Sequence, residues 1–266
     1  MSEHDIVEKV RERYGSIAEG KSTGCCGAES DVAAAIGYDR DDLGAIPEDA
    51  NLGLGCGAPI GFLELAPGET VLDLGSGAGI DCLLAAREVG PEGRVVGVDM
   101  TPAMIERARA NVAKAGVATI EFREGRLEEL PVDGGSIDAI TSNCVINLVP
   151  DKSVVFREIA RVLRPGGRMV VSDIMLDGEL PQGARDSLLA WVGCVAGALR
   201  REDYFDAVEA AGLERPEVLR DVDYLGATGF DKIPSDLKDD LVAAGVDLRD
   251  LAGVVHSVTY RTRRPA

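Results

Sequence analysis

Six cysteines, Cys25, Cys26, Cys56, Cys82, Cys144 and Cys194, stand against only two histidines, His4 and His256. No Cys-x-x-Cys pair occurs, and the spacings are wider than a structural zinc site uses. A Ser-His-Asp triad would have to use one of two poorly placed histidines. Several thiols without imidazole point instead to a soft, thiophilic ion. Three converging thiolates suit a three-coordinate pyramidal centre with a lone pair, and on residue types alone several ions remain open. Each cysteine also has a plainer role available, because free Cys is among the most buried residue types. Burial is the favoured reading for Cys82, which shares a helix with Leu83 and Leu84. The others sit differently. Cys25 and Cys26 lie in the polar run KSTGCCGAES and Cys56 in the Gly-rich NLGLGCG. Cys144 follows a strand-like run, and Cys194 lies in a helical stretch one turn from Trp191.

A second constellation begins at Asp73-Leu-Gly-Ser-Gly-Ala-Gly79. Here the chain must turn sharply after a strand and bring its backbone close to a ligand, which calls for Gly75, Gly77 and Gly79 around Ser76. A dinucleotide loop prefers G-x-G-x-x-G, with a pyrophosphate at the helix N-terminus. This run is G-x-G-x-G, and Asp73 precedes it inside the strand. An acid there suits a ligand with a cationic amino group. Asp99 ends the next strand, and a carboxylate at that point accepts hydrogen bonds from both hydroxyls of a ribose. Arg126-Leu127-Glu128 follows the third strand, where an adenine edge would lie. Ser142-Asn143-Cys144 ends the fourth and faces the same crevice at the carboxyl ends of the strands.

These residues need a scaffold to bring them together. Strand-like runs at 69–74, 94–99, 119–124, 137–143 and 168–174 alternate with the helical patterns IDCLLAAREVG, AMIERARANVAKAG and DKSVVFREIARVL. Such alternation predicts an open, doubly wound α/β sheet. Thr101-Pro102 reads as an N-cap followed by Pro in the first turn. RPGG closes the helix before the fifth strand. Residues 2–18 carry Ile6, Val7, Val10, Tyr14 and Ile17 at helical spacing, and a short helix follows at 29–36. Residues 37–58 read as flexible or tightly turning. Later come helices at 182–198 and 201–212 and strands near 216–224 and 254–262. The chain divides into an N-terminal helix and Cys-bearing loop segment (1–58), a core (59–178), and lid helices, final strands and an appendage (179–266).

The 266 residues fit one large domain or one with a modest appendage, and 45% hydrophobic content supplies a substantial core. A net charge of −18 repels phosphate backbones, which argues against nucleic acid as a partner. No run approaches the ~18 apolar residues of a membrane helix. The start, MSEHDIVEKVRER, lacks the apolar core of a signal peptide. A cytoplasmic protein with reduced thiols is expected.

Taken together, NLGLGCGAP, VLDLGSGAGIDCLLAA, GVDMTPAMIERAR, SNCVINLVPDK, LRPGGRMVVSDI and the W-x-x-C-x-x-G-A-L stretch from Trp191 to Leu199 resemble the arsenite methyltransferases. These belong to the class I S-adenosylmethionine-dependent methyltransferases. The resemblance implies a Rossmann-like, mostly parallel, seven-stranded sheet with an N-terminal helical extension and a C-terminal appendage. It implies S-adenosylmethionine as cofactor, held by Asp73, Gly75, Ser76, Gly77, Gly79, Asp99, Met100, Arg126, Leu127 and Asn143. It implies Cys144 and Cys194 as an arsenic-binding pair near the methyl donor, with Cys56 as the third thiol. Cys25 or Cys26 matches an N-terminal cysteine that pairs with Cys56 during a redox cycle, and the vicinal pair leaves open which one acts. The implied substrate is arsenite or its thiol conjugate, and the implied reductant is thioredoxin or glutathione. A monomer without nucleic acid or membrane partners is expected. The lone pair of As(III) carries no proton, so its methylation needs no general base, in keeping with the scarcity of histidine.

Two other readings stand beside this one. A small-molecule C- or O-methyltransferase would use the same fold, but it gives no reason for the cysteines, and aromatics for a large acceptor pocket total only 4%. A thiol-based metalloid-binding protein without turnover would have no use for the intact cofactor loop.

Overall fold

The computed structural model describes residues 3–22, 29–187, 190–191, 194–224 and 235–266. Cys25 and Cys26 fall outside the described residues. Val71, Leu72 and Leu74 bury β1 (Thr70–Leu74) on both faces, with Asp73 the one charge inside it. It lies in the middle of the sheet, parallel to β2 (Arg94–Asp99) on one edge and to β4 (Ile137–Asn143) on the other. Beyond β2 lies β3 (Ile120–Glu124), and beyond β4 lies β5 (Leu163–Leu176). The edge is completed by β6 (Glu217–Asp223) and β7 (Val255–Arg263), giving the order β3-β2-β1-β4-β5-β7-β6. Only β7 runs antiparallel to its neighbours. Chain order reverses between β1 and β4, which opens a crevice at their carboxyl ends. The Asp73–Gly77 turn, Asp99, Arg126-Leu127 and Asn143-Cys144 all lie at that crevice.

Side-chain alternation along the strands sends two sets of residues into two layers. On one face, Val71, Val95 and Phe122 pack with Leu83 of α4 (Ile80–Val89) and Ile105 of α5 (Pro102–Ala115). On the other, Leu72, Leu74 and Val98 pack with Phe156 of α6 (Lys152–Val162) and Tyr204 of α8 (Arg201–Ala210). The rings of Phe156 and Tyr204 meet edge to face at 5.2 Å. The N-terminal α1 (Glu3–Ala18) uses its apolar stripe elsewhere: Ile6 and Val10 cluster with Cys56 and Cys194, and Ile17 with Leu52 and Met104. It therefore roofs the crevice. Among the described residues no helix is long and apolar enough to cross a membrane.

Four local expectations change. Residues 37–58 are not featureless, since α3 (Arg40–Gly44) is capped by the Asp39 carboxylate and a 3-10 turn covers Glu48–Ala50. Thr101 occupies the N-cap of α5, yet its hydroxyl makes no cap bond and turns to Asp99 instead. The RPGG run is part of β5, carried in by a register shift against β4 between Ile137 and Ala139. The stretch 182–198 is not one helix. After α7 (Gln182–Asp186) the chain closes in a turn at Cys194, whose φ is 65°. Cys194 N–H donates to Trp191 O and Val195 N–H to Ala190 O, both at 2.9 Å. That pair of bonds is a Schellman closure, with Cys194 in the left-handed position glycine usually fills.

The buried Arg168 ties β5 to the segment entering β1. It donates to both Glu69 carboxylate oxygens at 2.7 Å and to the carbonyls of Leu63 and Glu64, also at 2.7 Å. The guanidinium beside it holds the Glu69 carboxyl below its ordinary value. A depressed carboxyl contributes stability above its unfolded pKa and loses it as pH falls through the folded one. Arg168→Met is expected to cost about 1–3 kcal/mol, because it strands the partly buried Glu69 carboxylate and two carbonyls. Thermal unfolding at pH 7 and below pH 4 checks this, with the deficit shrinking in acid; an unchanged melting temperature at neutral pH refutes it.

Candidate active site

The end of β4 organises the thiols. Gly75, the first residue after β1, has φ 66°, and a Cβ there would meet Val145 Cγ2 at 2.5 Å. Only glycine lets the β1 turn lie this close to the chain leaving β4. On that chain Cys144 adopts φ 59°, and its N–H donates to Ser172 O of β5 at 2.8 Å. Cys144, Cys194 and Glu64 are the non-glycine residues with positive φ among those described. Left-handed conformations cost a side-chain-bearing residue about 1–2 kcal/mol and persist where surrounding bonds enforce them. Two of the three are therefore cysteines of one corner.

Asn143 fixes the third thiol. Its Oδ1 accepts from Cys56 N–H at 3.1 Å, and its Nδ2 donates to Gly57 O at 2.6 Å. Ser257 of β7 donates to Cys56 O from the other side. Cys56 Sγ, Cys144 Sγ and an Asp173 carboxylate oxygen then lie within 4.8 Å of one another. Cys194 Sγ donates to Cys144 O at 3.0 Å. Hydrogen bonding to the Cys194 and Cys56 sulfurs, with burial, pushes the Cys144 thiol well above its ordinary pKa. Burial lifts Cys56 as well. Both are neutral thiols at neutral pH.

Asp173 stands behind the thiols, wholly buried on β5. It accepts from Asn147 N–H (3.2 Å), Asn147 Nδ2 (2.9 Å), Ile174 N–H (3.0 Å) and Tyr204 O–H (3.2 Å). Burial raises its pKa to about 7 against the opposing charge of Lys152. Lys152 is itself lowered to about 8 by burial. Its Nζ lies 5.9 Å from the Trp191 ring centre and donates to Val149 O at 3.0 Å.

The second constellation forms the other half of the same pocket. Asp99 accepts from Gly77 N–H at 3.0 Å and Thr101 N–H at 2.8 Å, so both oxygens are oriented by backbone. A Cβ on Gly77 would meet nothing within 4 Å, and the Ser76 hydroxyl is buried without a hydrogen-bond partner. Both observations suit a polar ligand lying against this loop. Asp73 is buried beside Asp81, and desolvation raises both acids, Asp81 to about 7. Cys82 Sγ donates to Asp73 at 3.2 Å from the core of α4, so Cys82 is a buried thiol serving an acid.

Of the residues read from sequence, Asp73, Gly75, Ser76, Gly77, Asp99, Met100, Arg126, Leu127, Asn143, Cys144 and Cys194 line this one pocket. Gly79 does not, because it packs α4 against Phe122. Cys56 sits behind Cys144 rather than on the wall. Asn143 reaches the wall, but the polar bonds of its amide go to the Cys56 loop and to Tyr38. Sequence reasoning missed Tyr38, Asp81 and Asp173. The signal for the two acids was a charge inside an apolar run, GIDCLL and VVSDIM. Tyr38 had none.

A sheet of this order, with a glycine turn after β1 and an acid closing β2, defines the fold of the class I S-adenosylmethionine-dependent methyltransferases. Residues 65–220 match the family model described as a methyltransferase domain, and the chain belongs to that family. It is 42% identical to an arsenite methyltransferase of Halobacterium salinarum, over 97% of this chain and 66% of that protein. It is 37% identical to one of Aquipseudomonas alcaligenes, over 80% and 64% respectively. This chain spans slightly less than two thirds of the length of these relatives. The solved arsenic(III) S-adenosylmethionine methyltransferase of Chlamydomonas reinhardtii superposes with a TM-score of 0.63 at 32% identity, covering 88% of this chain and 74% of that one.

The raised thiols make one expectation concrete. Each unit of upward shift removes about nine-tenths of the reactive thiolate at neutral pH. Iodoacetamide at pH 7.5 is expected to label Cys144 and Cys56 more slowly than free cysteine, with rates still climbing above pH 9. Peptide mass mapping reads both sites. Labelling at the free-cysteine rate would refute the assignment of neutral thiols.

Proposed function

We propose that this chain transfers methyl groups from S-adenosylmethionine to trivalent arsenic, giving mono- and dimethylated arsenicals. The observation that carries the reading is that Cys144 and Cys194 share one pocket wall with the Gly75–Gly77 turn and Asp99, with Cys56 directly behind. The arsenite methyltransferases among its relatives support the choice of arsenic over other thiophilic ions.

The pocket fits the donor. Asp99 would take the ribose hydroxyls, the Asp73–Asp81 pair the cationic amino group, and the free Ser76 hydroxyl a further polar atom. Arg126 and Leu127 would flank the adenine. When bound, S-adenosylmethionine supplies an electrophilic sulfonium methyl. The protein's own contribution is to hold the acceptor. Arsenite is a neutral trihydroxide, so exchange with three protein thiols forms three As–S bonds and releases three waters. Each S–H proton leaves on a hydroxide. Cys56 and Cys144 held neutral in the free protein are therefore compatible with binding. The arsenic lone pair remains free to face the methyl group. Positioning, with no proton to remove, does the catalytic work.

Methylation withdraws two electrons from arsenic, and oxidation of two thiols to a disulfide returns them. Cys56 with Cys25 or Cys26 would form that disulfide, and thioredoxin or glutathione would reduce it by thiol exchange. Such a reductant fits a cytoplasmic enzyme. The active form in this reading is a monomer.

The chain, arsenite, S-adenosylmethionine and a thiol reductant are expected to yield methylated arsenic by chromatography-coupled mass detection; none formed sinks the reading. Cys144→Ser and Cys194→Ser are each expected to lower the rate about 100-fold or more, through loss of acceptor positioning. Donor affinity by calorimetry should stay within about twofold, as expected when no donor contact is touched. A near-normal rate in either variant overturns the ligand assignment.

A further inference from the structure

Tyr38 belongs to none of the motifs, yet it touches both halves of the pocket. Its ring is 5% exposed and packs against Ala58, two residues past Cys56, and against Leu84 of α4. Its hydroxyl donates to Asp81 at 2.8 Å and accepts from Asn143 Nδ2 at 3.0 Å. The same amide holds Cys56 N–H and Gly57 O. A Cβ on Gly55 would lie 2.7 Å from Asn143 Nδ2, so the loop has no room to slide past it. An unbroken chain of contacts thus runs from Asp81 on the donor side, through Tyr38 and Asn143, to the backbone of Cys56.

Buried chains of this kind polarise cooperatively. A cation settling against Asp73 and Asp81 favours their charged forms. A charged Asp81 is the stronger acceptor for the Tyr38 hydroxyl. The phenol oxygen then becomes a better acceptor for Asn143, and electron density pushed onto the amide oxygen makes Oδ1 a better acceptor for the Cys56 N–H. Packing adds to this, because the Tyr38 ring is clustered with Leu84 of α4 and Ala58.

We propose that Tyr38 is a positioning residue that couples occupancy of the donor pocket to the placement of Cys56, so that donor and thiophilic substrate bind cooperatively. The proposal rests on reading the thiol corner as the arsenic site. Linkage makes the effect reciprocal. A tyrosine with a merely structural role would change stability and both affinities, but not the dependence of one affinity on the other.

Trp191 is the chain's only tryptophan, three residues before Cys194, and its Nε1 donates to Leu148 O at 3.3 Å. Its emission therefore reports filling of the thiol corner. Arsenite is titrated into the full chain with and without S-adenosylhomocysteine, which fills the donor pocket but has no methyl to transfer. In the wild type, S-adenosylhomocysteine is expected to lower the arsenite Kd about fivefold or more, the lower range of ordinary allosteric coupling. In Tyr38→Phe the ratio is expected to fall within about twofold of unity, whatever the absolute affinities. Asp81→Asn, which removes the charge at the far end, should do the same and serves if Tyr38→Phe does not fold. A ratio near one in the wild type overturns the coupling, and so does a full ratio in Tyr38→Phe. No emission change with arsenite overturns the arsenic reading instead. In that case the wild-type alkylation rate of Cys56 still decides the coupling: slowing about threefold or more by S-adenosylhomocysteine supports it, and an unchanged rate overturns it.

Discussion

The amide of Asn143 is the contact on which the thiol corner depends. It stands at the last position of β4, where the parallel ladder ends and the backbone turns left-handed at Cys144. One oxygen and one nitrogen secure the Cys56 loop, which arrives from 87 residues earlier in the chain. Without that clamp, Cys56 and Cys144 would share no element and no ladder. Gly75 then lets the β1 turn close against Val145, so the donor side and the thiol side meet across a single residue's width. The strain stored at Cys144 and Cys194 follows from the same demand. Two side chains must leave a turn in directions that an ordinary right-handed backbone does not provide.

Charge is handled differently in the two halves. On the donor side, Asp73 and Asp81 are buried together and resist full ionisation, which leaves them ready for a cation to settle against them. On the thiol side, Asp173 is equally buried but has four donors and Lys152 nearby, so its role is to order Asn147 and the chain after Cys144. Between them Cys56 and Cys144 stay neutral. Adjacent thiolates would repel one another in a desolvated corner.

The sheet was legible in the sequence because the strands are short, mostly apolar runs that alternate with helical patterns, as at the Pro-started helix after β2. Residues 137–143 are a strand in both readings, and the G-x-G-x-G turn falls where the β1 end requires it. Errors came where a local pattern met a tertiary demand. The apolar spacing at 182–198 is helical, but Cys194 is claimed by the pocket and the helix closes there. Thr101 has the right type and place for a cap, but the nearby Asp99 carboxylate is the stronger partner for its hydroxyl.

The sequence by itself determined the layers, the glycine turn after β1 and the thiols available at its crevice. Those features are local, set by strand and helix periodicity and by glycine where a turn needs it. The tertiary structure alone decided which thiols meet. It placed Cys56 behind Cys144, put Cys82 to work on Asp73, and brought in Tyr38, Asp81 and Asp173, which no spacing pointed to. Contacts between residues 43 to 201 positions apart, such as Tyr38 with Asp81 and Ser257 with Cys56, carry no periodicity to read. They exist only once the sheet has closed and its strand ends lie side by side.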